Sequence, residues 1–223
     1  MDKKALAWIA AVTSLLALIS IFTIDRSLAL AMHGSSIENA VVVERVREFL
    51  DIFTGRGLVG SHASLGQLLL GALFVVVGLV WALLRRGSYA ARALMFAGAV
   101  QLATIETGWL LKDLFGRLRP FQIIASDNWN HIWFAGGNSF PSGHNAFFWG
   151  LLLPLAYLFP RYWIACLIVP VFISFARIDE NYHFLSDVLA AIALAALITL
   201  FAAIVFERWV KPAATTSRKI RSR

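Results

Sequence analysis

Long runs of apolar residues, each broken at its ends by charge, glycine or proline, organise this sequence. Six such runs fall at 5–24, 64–84, 93–111, 145–160, 162–176 and 185–206. A continuous apolar run of about 20 residues fits a membrane-crossing helix rather than one face of a soluble core. The fourth and fifth runs are short on that measure, and Pro154 and Pro170 inside them predict kinks. The pattern predicts an all-α integral membrane protein: a six-transmembrane-helix bundle forming one domain over 1–223.

The segment before the second run reads differently. Ser35 and Glu38 have the spacing of a capping box, and Ile37, Val41, Val42, Val46, Phe49, Leu50 and Phe53 recur at helical intervals. Gly55 and Gly57 supply a stop. This predicts an amphipathic helix on the outer membrane surface or packed against the bundle.

Composition strengthens the membrane reading. The chain is 59% hydrophobic and 15% charged, against about half and about a quarter in soluble domains. A net charge of +7 raises nucleic-acid binding as a class, but much of the excess lies in the basic tail, 207–223. A basic tail after a span fits a cytoplasmic orientation signal, so no nucleic-acid partner is expected. Cys166 is the single cysteine, which excludes an intramolecular disulfide.

Charge also orients the spans. With Met1 inside, Lys3, Lys4, Arg85, Arg86, Arg92, Arg161, Arg208, Lys211, Arg218, Lys219, Arg221 and Arg223 all lie inside, twelve of the twenty basic residues. That bias predicts both termini in the cytoplasm. The first run also has signal-peptide features, with "ALA" at 29–31, but it is long for a signal core and Asp25-Arg26 intervene. A retained span is expected.

Three polar clusters border the runs. In "KDLFGRLRP", 112–120, Lys112 and Arg119 stand seven apart, and on one helix they would share a face. "PSGH", 141–144, precedes the fourth run, where the free N–H groups of a helix start attract anions. Ser142 adds a hydroxyl, and Gly143 allows an oxyanion close to the backbone. In "RIDENYHFLSD", 177–187, Arg177 is followed by His183 and Asp187 at i and i+4. Two crossings separate the second and third clusters, which puts all three on the outer side.

Three fixed cations with backbone donors suit a multiply charged oxyanion such as phosphate. His183, aimed by Asp187, is then the candidate nucleophile, and His144 the candidate general acid and base. Asp179, Glu180, His183 and Asp187 form an alternative metal site, although three converging cations make a further positive charge unnecessary. Neither a metal nor a cofactor is expected. Asp179 and Glu180 are also candidates for an amine on a lipid headgroup. Glu106 is expected to bond an arginine or tryptophan of a neighbouring span. His33, His62 and His131 have no motif company.

Together these clusters resemble the tripartite signature of the type 2 phosphatidic acid phosphatase superfamily. Lys112 through Arg119-Pro120 looks like its first motif, "PSGH" like its second, and Arg177, His183 and Asp187 match its third. The third motif usually begins Ser-Arg, whereas Ala176 stands here. The resemblance implies a helical bundle with metal-independent phosphatase activity on membrane lipids. It implies phosphate binding by Lys112, Arg119, Ser142, Gly143 and Arg177, with His183 as nucleophile, Asp187 as its partner and His144 as acid. The expected substrates are phosphatidate, phosphatidylglycerol phosphate, undecaprenyl pyrophosphate or lipid A phosphates, with a lean toward lipid A. The expected setting is a bacterial inner membrane with a periplasmic site. The constellation is also similar to that of vanadate-dependent haloperoxidases, which are soluble as a class. A transporter or non-catalytic headgroup-binding protein is the other alternative.

Overall fold

The computed structural model describes residues 1–33, 52, 63–85 and 88–210. The amphipathic helix expected over 35–53 falls, but for residue 52, outside them, as does the tail from residue 211. Every regular element among the described residues is helical, in keeping with the apolar runs.

The helices are α1 (Lys3–Thr23), α2 (Asp25–His33), α3 (Ala63–Leu84), α4 (Tyr89–Phe115), α5 (Pro120–Ser126), α6 (Gly143–Leu158), α7 (Trp163–Asp179) and α8 (Leu185–Val210). A turn of 3₁₀ helix, Pro160–Tyr162, joins α6 to α7. Their ends follow local chemistry. Asp2 caps α1 by accepting from the Ala5 N–H at 2.8 Å, and Ser88 does the same for α4 through the Ala91 N–H. Gly116 ends α4 at φ +48°, a conformation natural to glycine, with its N–H donated to the Lys112 carbonyl. Pro154 and Pro170 lie inside α6 and α7, which both continue through them.

At the centre α4, α6 and α8 pack on one another; α1 leans on α8, α3 on α4 and α7 on α6. One buried cluster joins Leu6, Phe96, Val100, Trp149, Leu153 and Tyr157 with the small Ala195 and Ala196. A second joins Ile105, Phe147, Phe148 and Ile173. Alanines and glycines line these seams because backbones must approach closely where lipid supplies no hydrophobic drive between helices. Many other large apolar side chains turn outward, among them Leu15, Phe22, Leu73, Ile168, Phe172, Phe201 and Ile204.

Among the described residues five stretches are long and apolar enough to cross a membrane: Lys3–Thr23, Gly66–Leu84, Tyr89–Ser126, Pro160–Asp179 and Leu185–Glu207. The fourth expected span corresponds to α6, which is 16 residues long and almost wholly buried. At about 24 Å it falls short of an apolar bilayer core of about 30 Å. Its neighbours are protein rather than lipid, so its length has no bilayer thickness to match.

Candidate active site

The candidate residues gather at one end of the bundle. The C-termini of α4 and α7 and the N-termini of α6 and α8 meet there, so Lys112, His144, Arg177 and Asp187 all fall within a turn or so of a helix end. The opposite end carries the Lys3–Glu207 ion pair at 2.6 Å.

Main-chain bonds fix the register between the segments. The Ser142 N–H donates to the Asp187 carbonyl at 3.0 Å, and the His183 N–H to the Arg177 carbonyl at 3.1 Å. Ser142 is the N-cap residue of α6, and Gly143 opens the helix. The first N–H groups of any helix have no intrahelical acceptor and face outward along its axis. The Ser142 hydroxyl accepts from Asn145 Nδ2 at 3.0 Å. Asn145 Oδ1 in turn accepts from the Ser174 hydroxyl at 2.5 Å, which ties the start of α6 to α7.

His183 is almost wholly buried. Its Nδ1 stands 3.5 Å from Asp187 Oδ2 and 3.4 Å from Ser139 Oγ. A carboxylate on that side favours the tautomer with its proton on Nδ1, leaving the lone pair on Nε2. Burial pushes the His183 pKa down to about 3; Asp187 opposes this, while the charges of Lys112 and Arg119 add to it. A neutral ring results. Asp187 Oδ2 also accepts from the Ser139 hydroxyl at 2.5 Å and the Phe184 N–H at 2.9 Å.

His144 is held by an arginine. Arg177 Nη2 donates to His144 Nε2 at 2.7 Å, and Arg177 Nη1 donates to Glu180 Oε2 at 2.6 Å. Arg119 and Arg177 both lie over the ring of Tyr182, at 5.1 Å and 5.5 Å from its centroid. The Tyr182 quadrupole tempers the repulsion between two guanidinium groups in one place.

Lys112 and Arg119 converge, but not on one helix. Gly116 ends α4 between them, and Arg119 is the N-cap residue of α5, where Pro120 takes the first helical position. The loop that follows joins them: Lys112 Nζ donates to the Asn138 carbonyl at 2.5 Å, and Arg119 Nε to Asn138 Oδ1 at 3.0 Å. Gly137 permits that loop to lie against the chain, since a Cβ there would sit 2.2 Å from the Arg117 carbonyl oxygen. All eight residues singled out in the sequence are therefore at this end of the molecule.

Three further residues escaped the sequence reading. Arg117, buried within "KDLFGRLRP", donates through Nη1 to Asp187 Oδ1 at 2.5 Å and to Ser186 Oγ at 2.7 Å. Its Nη2 donates to Asp25 Oδ2 at 2.8 Å, and its guanidinium lies over the rings of Trp133 and Phe184. Asp25, at the start of α2, also accepts from the Ser186 N–H at 3.1 Å and from the Ser186 hydroxyl. Ser139 supplies the hydroxyl beside His183 described above. The available signal was a third basic residue inside the first motif and a carboxylate closing the first apolar run.

Other expectations resolve differently. Among the described residues no group of three or more His, Cys, Asp or Glu is arranged to hold a metal ion. Glu180 is turned to Arg177, and Asp179 is buried with neither carboxylate oxygen hydrogen-bonded among the described residues. Asn181 spans to α2, its amide donating to the Ala29 carbonyl and accepting from the His33 N–H, both at 3.0 Å. Glu106 is exposed, and no hydrogen bond or ion pair ties it to an arginine or tryptophan among the described residues.

Fold and site together define a helical protein with apolar, membrane-spanning helices and a cluster of basic side chains that includes two histidines. The family model described as the PAP2 superfamily matches residues 88–211, and the chain belongs to that superfamily. A protein named lipid A 1-phosphatase from Rhizobium johnstonii is 35% identical over 102 residues, covering 44% of this chain and 42% of that relative. One of the same name from Rhizobium etli is 33% identical over 102 residues, covering 44% of each. The match thus covers less than half the length of either relative. No solved structure matches.

Proposed function

We propose that this protein is a lipid phosphatase that removes a phosphate from lipid A, working at the periplasmic face of a bacterial inner membrane. The observation that carries the reading is the pairing of His183 with Asp187 at the end of the bundle where Arg177 holds His144. Membership of the PAP2 superfamily and the names of the two relatives support a phosphorylated lipid, and lipid A in particular.

Lys112, Arg119 and Arg177, with the Ser142 hydroxyl and the N–H groups opening α6 at Gly143, hold the phosphate oxygens. The neutral His183 directs its Nε2 lone pair at phosphorus. As the N–P bond forms, the bond from phosphorus to the lipid oxygen breaks, and protonated His144 gives its proton to that oxygen. Asp187 stabilises the charge that appears on the His183 ring. Neutral His144 then takes a proton from water, whose oxygen attacks phosphorus and breaks the N–P bond. Inorganic phosphate leaves, and both histidines return to their starting states.

The whole chain, 1–223, acts as one membrane-embedded domain. Six of its helices cross the membrane, the short α6 among them, and both termini lie in the cytoplasm, as the distribution of basic residues supports. Phosphate release from lipid A, phosphatidate, phosphatidylglycerol phosphate and undecaprenyl pyrophosphate by purified protein in detergent with chelator tests the reading. Release that survives the chelator and vanishes in His183→Ala and His144→Ala is expected. A folded wild-type protein that frees no phosphate from any of the four overturns it.

A further inference from the structure

Resting on the phosphohistidine reading above, we propose that Asp25, on the first helical pair, is a positioning residue for the nucleophile. It offsets the charge of Arg117, so that Asp187 still presents net negative charge to His183.

The geometry is a buried chain of four groups. Asp25 Oδ2 faces Arg117 Nη2 at 2.8 Å, and Arg117 Nη1 faces Asp187 Oδ1 at 2.5 Å. Asp187 Oδ2 then faces His183 Nδ1 at 3.5 Å. Relative exposures of these side chains run from 0% to 4%, so little water screens them. Ser186, the residue before Asp187, gives both its N–H and its hydroxyl to Asp25 and accepts from Arg117. Asp25 thereby fixes the second guanidinium nitrogen and the backbone next to Asp187.

Charge counting shows why a bare Arg117–Asp187 pair is insufficient. Arg117 would cancel Asp187, and the ring of His183 would turn cationic on attack with no net charge to meet it. With Asp25 included, the two carboxylates and one guanidinium carry a single negative charge. That charge matches the one created when Nε2 bonds to phosphorus and Nδ1 keeps its proton. Lys112 and Arg119 act on His183 as positive charges, and Asp187 opposes them. Arg177 donates to His144 and to Glu180. Arg26, beside Asp25 in sequence, lies over the Trp129 ring.

The test uses the full chain in micelles containing lipid A radiolabelled at its 1-phosphate. It reads kcat, KM, the pH profile and the rate of phosphohistidine formation by rapid quench. Asp25→Asn is expected to slow kcat and phosphohistidine formation by about tenfold or more while KM stays unchanged. Its acid limb should move to lower pH, because His183 becomes less basic. The double variant Asp25→Asn/Arg117→Gln restores the charge count and should recover kcat to within about threefold of wild type. Asp25→Asn with wild-type kcat and pH profile overturns the inference. Where Asp25→Asn does not accumulate, the double variant decides: a double variant that is folded but slow, or that also fails to accumulate, overturns it. Phosphate release by wild type without phosphohistidine would sink the mechanistic reading instead, leaving the kcat comparison to speak for Asp25 separately.

Discussion

Arg177 donates Nη2 to His144 Nε2 at 2.7 Å, so its guanidinium covers the ring nitrogen that carries the proton in the proposed mechanism. In that mechanism a phosphate dianion competes for Arg177 and releases His144, which makes substrate arrival and readiness of the acid one event. A lysine ammonium lacks the planar fork that lets Arg177 hold Glu180 and His144 at once. Arg177→Lys is expected to lower kcat/KM by about a hundredfold, measured as phosphate release from lipid A.

The pH profile should carry the mark of a buried nucleophile. Burial holds His183 down at about 3, so it remains neutral well below the ordinary value of 6.5. The acid limb of kcat/KM is therefore expected below about pH 5, rather than near neutrality. Stability follows the same sign. The unfolded chain takes up a proton near 6.5 and the native one only near 3, so this contribution is intact above 6.5 and is lost as pH falls between them. Thermal midpoints in detergent across that range check it.

Ser139 offers a milder lesion. Its hydroxyl donates to Asp187 Oδ2 at 2.5 Å and stands 3.4 Å from His183 Nδ1. Ser139→Ala removes one donor from a carboxylate that keeps Arg117 and the Phe184 N–H. A loss of about 1 kcal/mol, or about fivefold in kcat, is expected with KM held. Steady-state kinetics on lipid A separates the two parameters.

Gly137 tests the loop that joins Lys112 to Arg119. A Cβ there would lie 2.2 Å from the Arg117 carbonyl oxygen and 2.6 Å from the Leu118 nitrogen, both backbone atoms that cannot swing aside. Gly137→Ala is expected to destabilise the fold by about 1–3 kcal/mol and to lower activity with it, read as a fall in the thermal midpoint.

Much of this was legible beforehand, for identifiable reasons. Apolar runs marked α1, α3, α4, α7 and α8 because lipid enforces length and composition along whole helices. The short α6 was visible as a run, but its burial by protein on every side was not. Lys112, Arg119, His144, Arg177, His183 and Asp187 stood out because charge beside a span needs a reason. Arg117 and Asp25 did not, because they meet only in three dimensions, 92 residues apart in sequence. The helix expected to carry both Lys112 and Arg119 gave way to a turn at Gly116, and the convergence survived because Asn138 reaches both side chains.

The bonds from Ser142 N–H to the Asp187 carbonyl and from His183 N–H to the Arg177 carbonyl have a practical corollary. They stitch the pocket together through peptide groups that every amino acid but proline supplies. Side chains can then be exchanged without unpicking the seam. A version such as His183→Ala, expected to be chemically dead, should still clasp the proposed lipid substrate, making it suitable bait for capturing the bound state.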